Sequence, residues 1–224
     1  MKASFVIPVY NGSAYIAETI DSCVRQGLKD IEIIVVDDGS SDKTTDIIEY
    51  FVEKDKRISL IKTGTNMGRS NARNIGIESA KSDIILCSDA DDISHPNRAK
   101  ETFNFLNKNP ECQLVSTKAQ AIDELGNVIG WMPVEPFTFD NVLKDKQTRI
   151  VHSSMGFRKS VFEKVKYTTG DYCKHGIDDW KFQVDAHKAG FKFGFINKTL
   201  VQYRLIPKKR DESKITELKN LCLA

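Results

Sequence analysis

The chain has 224 residues, with 33 basic and 31 acidic side chains and a net charge of +2. That balance gives no electrostatic reason to expect a nucleic-acid partner, and no segment approaches the ~20 apolar residues needed to span a bilayer. Five cysteines, at 23, 87, 112, 173 and 222, are scattered with no CxxC pair. This speaks against a disulfide framework or a zinc site and suits a reducing cytoplasm. Cys23 and Cys87 lie in apolar surroundings and read as small core residues. Only Lys2 precedes a strand-like run containing Pro8, which does not read as a signal peptide. The expectation is a cytoplasmic protein that meets any membrane-bound substrate at the inner surface.

Strand and helix signals alternate through residues 1–110. "ASFVIPVY" is β-branched and apolar and stops at Asn11-Gly12. "AYIAETIDSCVRQ" then repeats Ile16, Ile20 and Val24 at helical spacing. "IEIIVVDDGSSD" is a second buried strand, followed by helix "KTTDIIEYFVEKD" with Asp42 as its expected N-cap. Strand "RISLIKT" leads through a Gly/Asn-rich loop, 64–68, to helix "RSNARNIGIESAK". Strand "DIILCSD" and a helix begun near Pro96, "NRAKETFNFLNKN", close this half.

After residue 110 the rhythm changes. "QLVSTKAQAIDELGNVIGW" reads as a strand and hairpin with its turn at 124–127, and 133–150 has little periodicity. Helix "RKSVFEKV", a polar loop and helix "DDWKFQVDAHKAG" follow, with Trp180, Val184 and His187 sharing a face. Two short strands, "KFGFIN" and "TLVQYRL", precede a basic polar tail from Pro207, expected to be solvated rather than membrane-bound. The pattern predicts one α/β domain over 1–206 with a mostly parallel, helix-flanked central sheet. Residues 1–110 and 111–206 are its two halves, and 207–224 a tail.

In such sheets ligands gather beyond the carboxyl ends of the strands. Asn11, Asp37–Asp42, Thr65–Arg69 and Asp89–Asp92 all follow strands. In extended chain Asp89 and Asp91 point to one side. Two hard carboxylates there suit Mg²⁺ or Mn²⁺ shared with substrate phosphates, or else the stretch is a solvated loop with Asp92 or Ser94 capping the next helix. Asp38 is read as a nucleobase or ribose acceptor, although a plain turn also explains it. Arg69 and Arg73, one turn apart at a helix start, suit an anion, against surface pairs with Glu78 or Asp83. Asp178 and Asp179 begin another helix; capping explains Asp178 and leaves Asp179 without a structural task, while Trp180 beside them can wall a pocket. The four histidines lack metal-ligand spacing. His187 reads as structural, and His152 and His175 as rim residues.

Taken in order, "FVIPVYNGSAYIAETIDS", "IEIIVVDDGSSDKT", "NMGRSNARNIGIESAKSDIILCSDADD", "HSSMGFRKSVF" and "GIDDWKF" resemble the inverting glycosyltransferases of family 2, with the GT-A fold. The resemblance spans most of 3–204 and implies that 1–110 is a nucleotide-binding half and 111–206 an acceptor and catalytic half. It implies a nucleotide-sugar donor, UDP-linked by the family pattern, whose base sits near Pro8, Tyr10, Asn11 and Asp38, with Arg69, Arg73 and Asn74 on the bordering helix. It places Asp89 at the ribose or a metal-bound water, Asp91 on the metal, and Asp179 as the catalytic base, paired with Asp178. Trp180 and His152 fall on the acceptor side, for a saccharide or glycolipid acceptor in cell-surface polysaccharide assembly. The pair is Glu-Asp in the family and Asp178-Asp179 here. Many relatives also carry a histidine after the last strand, where this chain has Leu205 and Ile206.

Two enzyme alternatives fit less well. A sugar-1-phosphate nucleotidyltransferase wants a Gly-rich basic loop after the first strand, and a haloacid-dehalogenase-type phosphatase wants its nucleophilic Asp there. This chain has Pro8-Val9-Tyr10-Asn11. A catalytically idle nucleotide-binding module is the alternative from another class.

Overall fold

Strands β1 (Ala3–Val9) and β2 (Ile31–Asp37) are buried along their whole length, as expected when helices cover both faces of a parallel sheet. In the computed structural model, which describes residues 1–147, 149–207 and 211–223, β1 pairs in parallel with β2 on one side and β4 (Ile84–Cys87) on the other. Strand β3 (Ile58–Lys62) pairs in parallel with β2. Helices α1 (Ile16–Val24), α2 (Thr44–Lys54) and α3 (Arg69–Ser79) make the crossovers. The alternation of side chains along each strand separates two cores. Phe5, Ile7, Ile33 and Val35 meet Ile20 and Ile48 on one face, while Val6, Ile34 and Val36 meet Ala72 and Ile77 on the other. A Cβ on Gly76 would fall 2.6 Å from Val6 Cγ1, so the glycine is what lets α3 lie this close to β1.

The chain beyond β4 completes the sheet with mixed pairing. Its elements are β5 (Ile93–Ser94), α4 (Arg98–Lys108), β6 (Leu114–Ile122), β7 (Val128–Trp131), α5 (Phe139–Asp145), β8 (Gly156–Arg158), α6 (Lys159–Lys164), α7 (Asp171–Lys174), α8 (Asp178–Lys188), β9 (Phe193–Arg204) and α9 (Glu212–Leu223). The strand order is β3-β2-β1-β4-β8-β6-β9-β5, with β7 on β6. Strand β8 is antiparallel to β4 and β6, β9 is parallel to β6, and β5 is antiparallel to β9. The expected parallel sheet therefore holds for β1–β4 and gives way to mixed pairing beyond β4.

Several local expectations change. The two strands anticipated at 192–197 and 199–205 are one strand, because bulges opposite Thr117–Ala119 absorb the irregular residues without ending the pairing. Helices α5 and α7 occupy stretches that carry little periodicity. The C-terminal segment is not a solvated tail over 212–223. Ile215, Leu218 and Cys222 pack against Trp180 and Val184 of α8. The basic run Lys208–Arg210 lies outside the described residues. Asp42 is not the N-cap of α2, which begins after Lys43. Its carboxylate accepts N–H bonds from Thr44 and, from the loop after β1, Ser13. Nor do Asp92 or Ser94 cap α4: Asn97 holds that position, and both are buried. Cys23 and Cys87 are core residues as anticipated. Among the described residues no helix is long and apolar enough to cross a membrane.

Candidate active site

The carboxyl ends of β1, β2 and β4 open onto one groove, at the point where the chain order reverses on either side of β1. Its first part is a cavity of about 280 Å³ lined by Pro8, Tyr10, Asp38, Gly68, Arg69 and Cys173. Tyr10 is half exposed at its edge. Asp38 is buried, and its two carboxylate oxygens accept the N–H groups of Met67 and Gly68 at 2.9 and 2.8 Å. It therefore shapes the wall by pinning loop 64–68, beyond the base contact expected from sequence. The same loop passes so near Gly39 (φ 76°) that a Cβ there would lie 2.7 Å from the Thr65 carbonyl carbon. Asn11 adopts φ 49° and accepts the Ser41 N–H at 2.8 Å, which brings it into an adjoining cleft with Pro8, Tyr10 and Asp91.

The deeper part rests on buried charge. Arg73 donates to Asp178 at 2.5 Å and to Asp89 at 2.6 Å, and Arg69 donates to Asp178 at 2.8 Å. The two arginines anticipated as an anion site thus first meet carboxylates, neither of them Glu78 or Asp83. Burial opposes the charge on Arg73, but Asp89 and Asp178 raise its pKa well above the usual guanidinium value. Burial likewise works against ionised Asp89, and Arg73 with His152 nevertheless holds its carboxyl well below the carboxylate range. Burial and Arg73 disfavour a charged His152, while Cys87 and Asp89 favour it and lift it to about 10. The third acid of the run, Asp92, is pushed well above the usual range by burial and by its neighbours Asp89 and Asp91.

A cavity of about 200 Å³ collects Arg73, Asp89, Asp91, Asp179, Tyr203 and the segment 173–176. Asp91 and Asp179, distant in sequence, face the same space. Four expected site residues stand elsewhere. Asp178 is fully buried beneath the groove, where Arg69, Arg73 and Ser70 hold both its oxygens. It neither caps α8 nor faces the cavity. Trp180 turns into the α8–α9 cluster with Ile177, Val184 and Leu218, because that apolar seam needs its ring more than the cleft does. Asn74 exchanges two hydrogen bonds with the backbone of Tyr167. His152 is buried under Asp89, 3.6 Å from it, and bonds the Tyr167 hydroxyl at 2.9 Å, so it is no rim residue. His187 stacks on Phe139, as a structural residue would.

Sequence reasoning missed Cys173, Lys174, Gly176 and Tyr203. The one signal for the 173–176 wall is Gly176, at φ 74°, where a Cβ would sit 2.9 Å from an Arg69 nitrogen.

Among the described residues no three His, Cys, Asp or Glu side chains are grouped to hold a metal. Asp89 and Asp91 line one cavity, however, and Asp89 gives only one oxygen to Arg73. Two hard carboxylates fit a Mg²⁺ or Mn²⁺ that takes its remaining ligands from water and a diphosphate. Ile206 borders the adjoining cleft, where its side chain offers no ligand atom.

A sheet of this order with acidic strand ends is the GT-A architecture. TarS 1–349 of S. aureus, solved with UDP-GlcNAc, superposes at a TM-score of 0.79 over all of this chain and 66% of that one, at 19% identity. The mannosyltransferase PcManGT of Pyrobaculum calidifontis, solved with GDP-Man and Mn²⁺, superposes at 0.69 over 93% of this chain and 58% of that one, at 20% identity. The chain belongs to glycosyl transferase family 2, whose family model matches residues 4–166. An uncharacterized glycosyltransferase of Methanocaldococcus jannaschii is 32% identical over 206 residues, 90% of this chain and 70% of the relative. An uncharacterized glycosyltransferase of Haemophilus influenzae is 42% identical over 106 residues, covering 47% of this chain and 42% of its own length. The chain spans between 42% and 70% of these two relatives.

Proposed function

We propose that this domain transfers a sugar, with inversion, from a uridine diphosphate sugar to a hydroxyl of a saccharide or glycolipid acceptor in cell-surface polysaccharide assembly. The observation that carries the reading is the groove itself. The pocket at Pro8, Tyr10 and Asp38 continues past Arg69 and Arg73 into the cavity that Asp91 shares with Asp179. A nucleotide laid along it puts its base at Asp38 and its diphosphate at Asp89 and Asp91. A similar structure carries UDP-GlcNAc, which supports the choice of nucleotide.

The chain's residues then have distinct tasks. Asp179 accepts the proton of the acceptor hydroxyl while that oxygen bonds to the anomeric carbon. The bond from that carbon to the diphosphate oxygen breaks on the opposite face, and the electron pair leaves with the nucleoside diphosphate. Asp91 and Asp89 would hold Mg²⁺ or Mn²⁺, which supplies positive charge to the departing diphosphate. Asp178 keeps Arg69 and Arg73 in place beneath the groove.

The test compares wild type with Asp179→Asn for UDP release from donor in the presence of acceptor, and for UDP binding. Removing a general base is expected to lower turnover ~10²–10⁴-fold with UDP affinity retained. Turnover near the wild-type rate removes Asp179 from the role, and wild-type UDP binding without any UDP release identifies an idle binding module instead.

A further inference from the structure

Three acids in the four positions 89–92 repel one another, yet the structure holds every residue of that turn by a separate contact. Arg73 takes the Asp89 carboxylate, and the Asp89 N–H donates to Ser153 Oγ at 3.1 Å. Thr19 Oγ1 donates to the Ala90 carbonyl at 2.9 Å. The remaining two residues, Asp91 and Asp92, are both held by Arg204, the last residue of β9. Its main-chain N–H donates to Asp92 Oδ1 at 2.8 Å, and its Nε donates to the Asp91 carbonyl at 2.9 Å.

The rest of that guanidinium is engaged as well. Nη1 donates to the carbonyls of Asp123 and Glu124, in the turn between β6 and β7, at 3.0 and 3.1 Å. Nη2 pairs with Glu18 of α1 at 2.5 Å, and the group lies over the Tyr15 ring at 4.6 Å. The side chain is only 1% exposed, and each of these contacts is to the protein. A planar fork of five N–H groups can join a strand end, a hairpin turn, a helix and an acidic turn in one place, which an ammonium cannot.

We propose that Arg204 is a positioning residue for Asp91, an inference that rests on the sugar-transfer reading above. By fixing the Asp91 carbonyl from behind, it sets the direction in which the Asp91 carboxylate enters the cavity shared with Asp179. Its main-chain N–H also gives buried Asp92 a hydrogen-bond partner beside Asp89 and Asp91. Arg204 touches neither donor nor acceptor in this role; it acts through the Asp91–Asp92 backbone. Because it stands at the end of β9, beside Leu205 and Ile206, it braces the metal-side turn at a place where the chain offers no imidazole.

The experiment is calorimetric titration of UDP into wild type and Arg204→Lys, each with and without Mn²⁺, alongside thermal melting. Arg204→Lys keeps the charge and loses the fork. Loss of such an outer partner is expected to cut the Mn²⁺-dependent gain in UDP affinity about tenfold, with metal-free affinity within about twofold of wild type. A merely structural role predicts a lower melting temperature with the gain unchanged, or both affinities falling together, and either result overturns the proposal. Should Arg204→Lys not fold, Glu18→Ala carries the test, since it releases one arm of the guanidinium at a half-exposed site; an undiminished Mn²⁺ gain there overturns the idea. Wild type that binds UDP with no Mn²⁺-dependent gain overturns both this inference and the metal-assisted reading beneath it. A gain in wild type that survives in the variants overturns only the role of Arg204.

Discussion

Strands β1 and β9 lie in the same sheet and are built differently. All seven residues of β1 are buried, and it pairs in parallel on both sides without a break. Of the twelve residues of β9 only four are buried, and its register against β6 shifts twice. The first half of the chain is a repeated unit of strand, crossover and helix, in which local pattern and tertiary position agree. The second half is assembled around segments that are remote in sequence and that pass under or across the groove. The proposed nucleotide side of the site comes from the regular half, and the proposed base comes from the irregular one. Beneath the groove Asp178 on α8 ties the two sides together by reaching Arg69 and Arg73 on α3.

That junction is where the contrast can be broken most severely. Asp178→Ala leaves the buried Arg73 with Asp89 alone and the part-exposed Arg69 without its carboxylate, and removing one partner of a buried pair typically costs about 3–5 kcal/mol. Urea unfolding should show that loss, together with weakened UDP binding, because α3 and α8 then part. A loss below about 1 kcal/mol, the range of exposed ion pairs, would mean that the two halves do not depend on this contact.

A second substitution separates the halves in the other direction. Leu218→Ala removes a buried side chain from the α8–α9 cluster, with an expected cost of about 2–5 kcal/mol. Since α9 packs on the Trp180 side of α8, UDP affinity of the folded protein should not change. A parallel fall in UDP affinity would show that α9 supports the groove after all.

The smallest effect belongs to the regular half alone. Slight desolvation works against ionised Asp42, but hydrogen bonds from Thr44 and Ser13 hold its carboxyl down at about 2. The folded value lies below the ordinary carboxyl value of about 3.9, so this contribution is present above that pH and is lost as pH falls toward 2. Asp42→Asn should flatten the acid limb of stability between those two values, read by thermal melting across pH. An unchanged acid limb would mean that the bonds from Thr44 and Ser13 to Asp42 carry no weight.

The legibility of the sequence follows the same division. Helices α1 to α4 and strands β1 to β4 were readable because apolar residues recur at the spacing of the element that buries them. Asp38, Asp89, Asp91 and Asp179 were legible as candidates because acids directly after strands or at a helix start are costly to place without a partner. The α9 seam of Ile215, Leu218 and Cys222 was not read, since three apolar positions in a polar segment do not reveal the face they meet. Arg204 was not read either: its partners come from α1, the acidic turn and the β6–β7 hairpin, and no spacing along the chain brings those together.

The sequence by itself determined that four polar loops follow strands of one α/β sheet and that paired acids begin a late helix. Only the tertiary structure gave Asp178 and Asp179 their different surroundings. Successive side chains on a helix diverge by about 100°, so the first points down between Arg69 and Arg73 while the second enters the cavity with Asp91. Which neighbour was buried depended on where two arginines from a helix more than a hundred residues earlier would stand. Adjacent identical carboxylates became different groups because a buried cation demands a partner and the cleft does not.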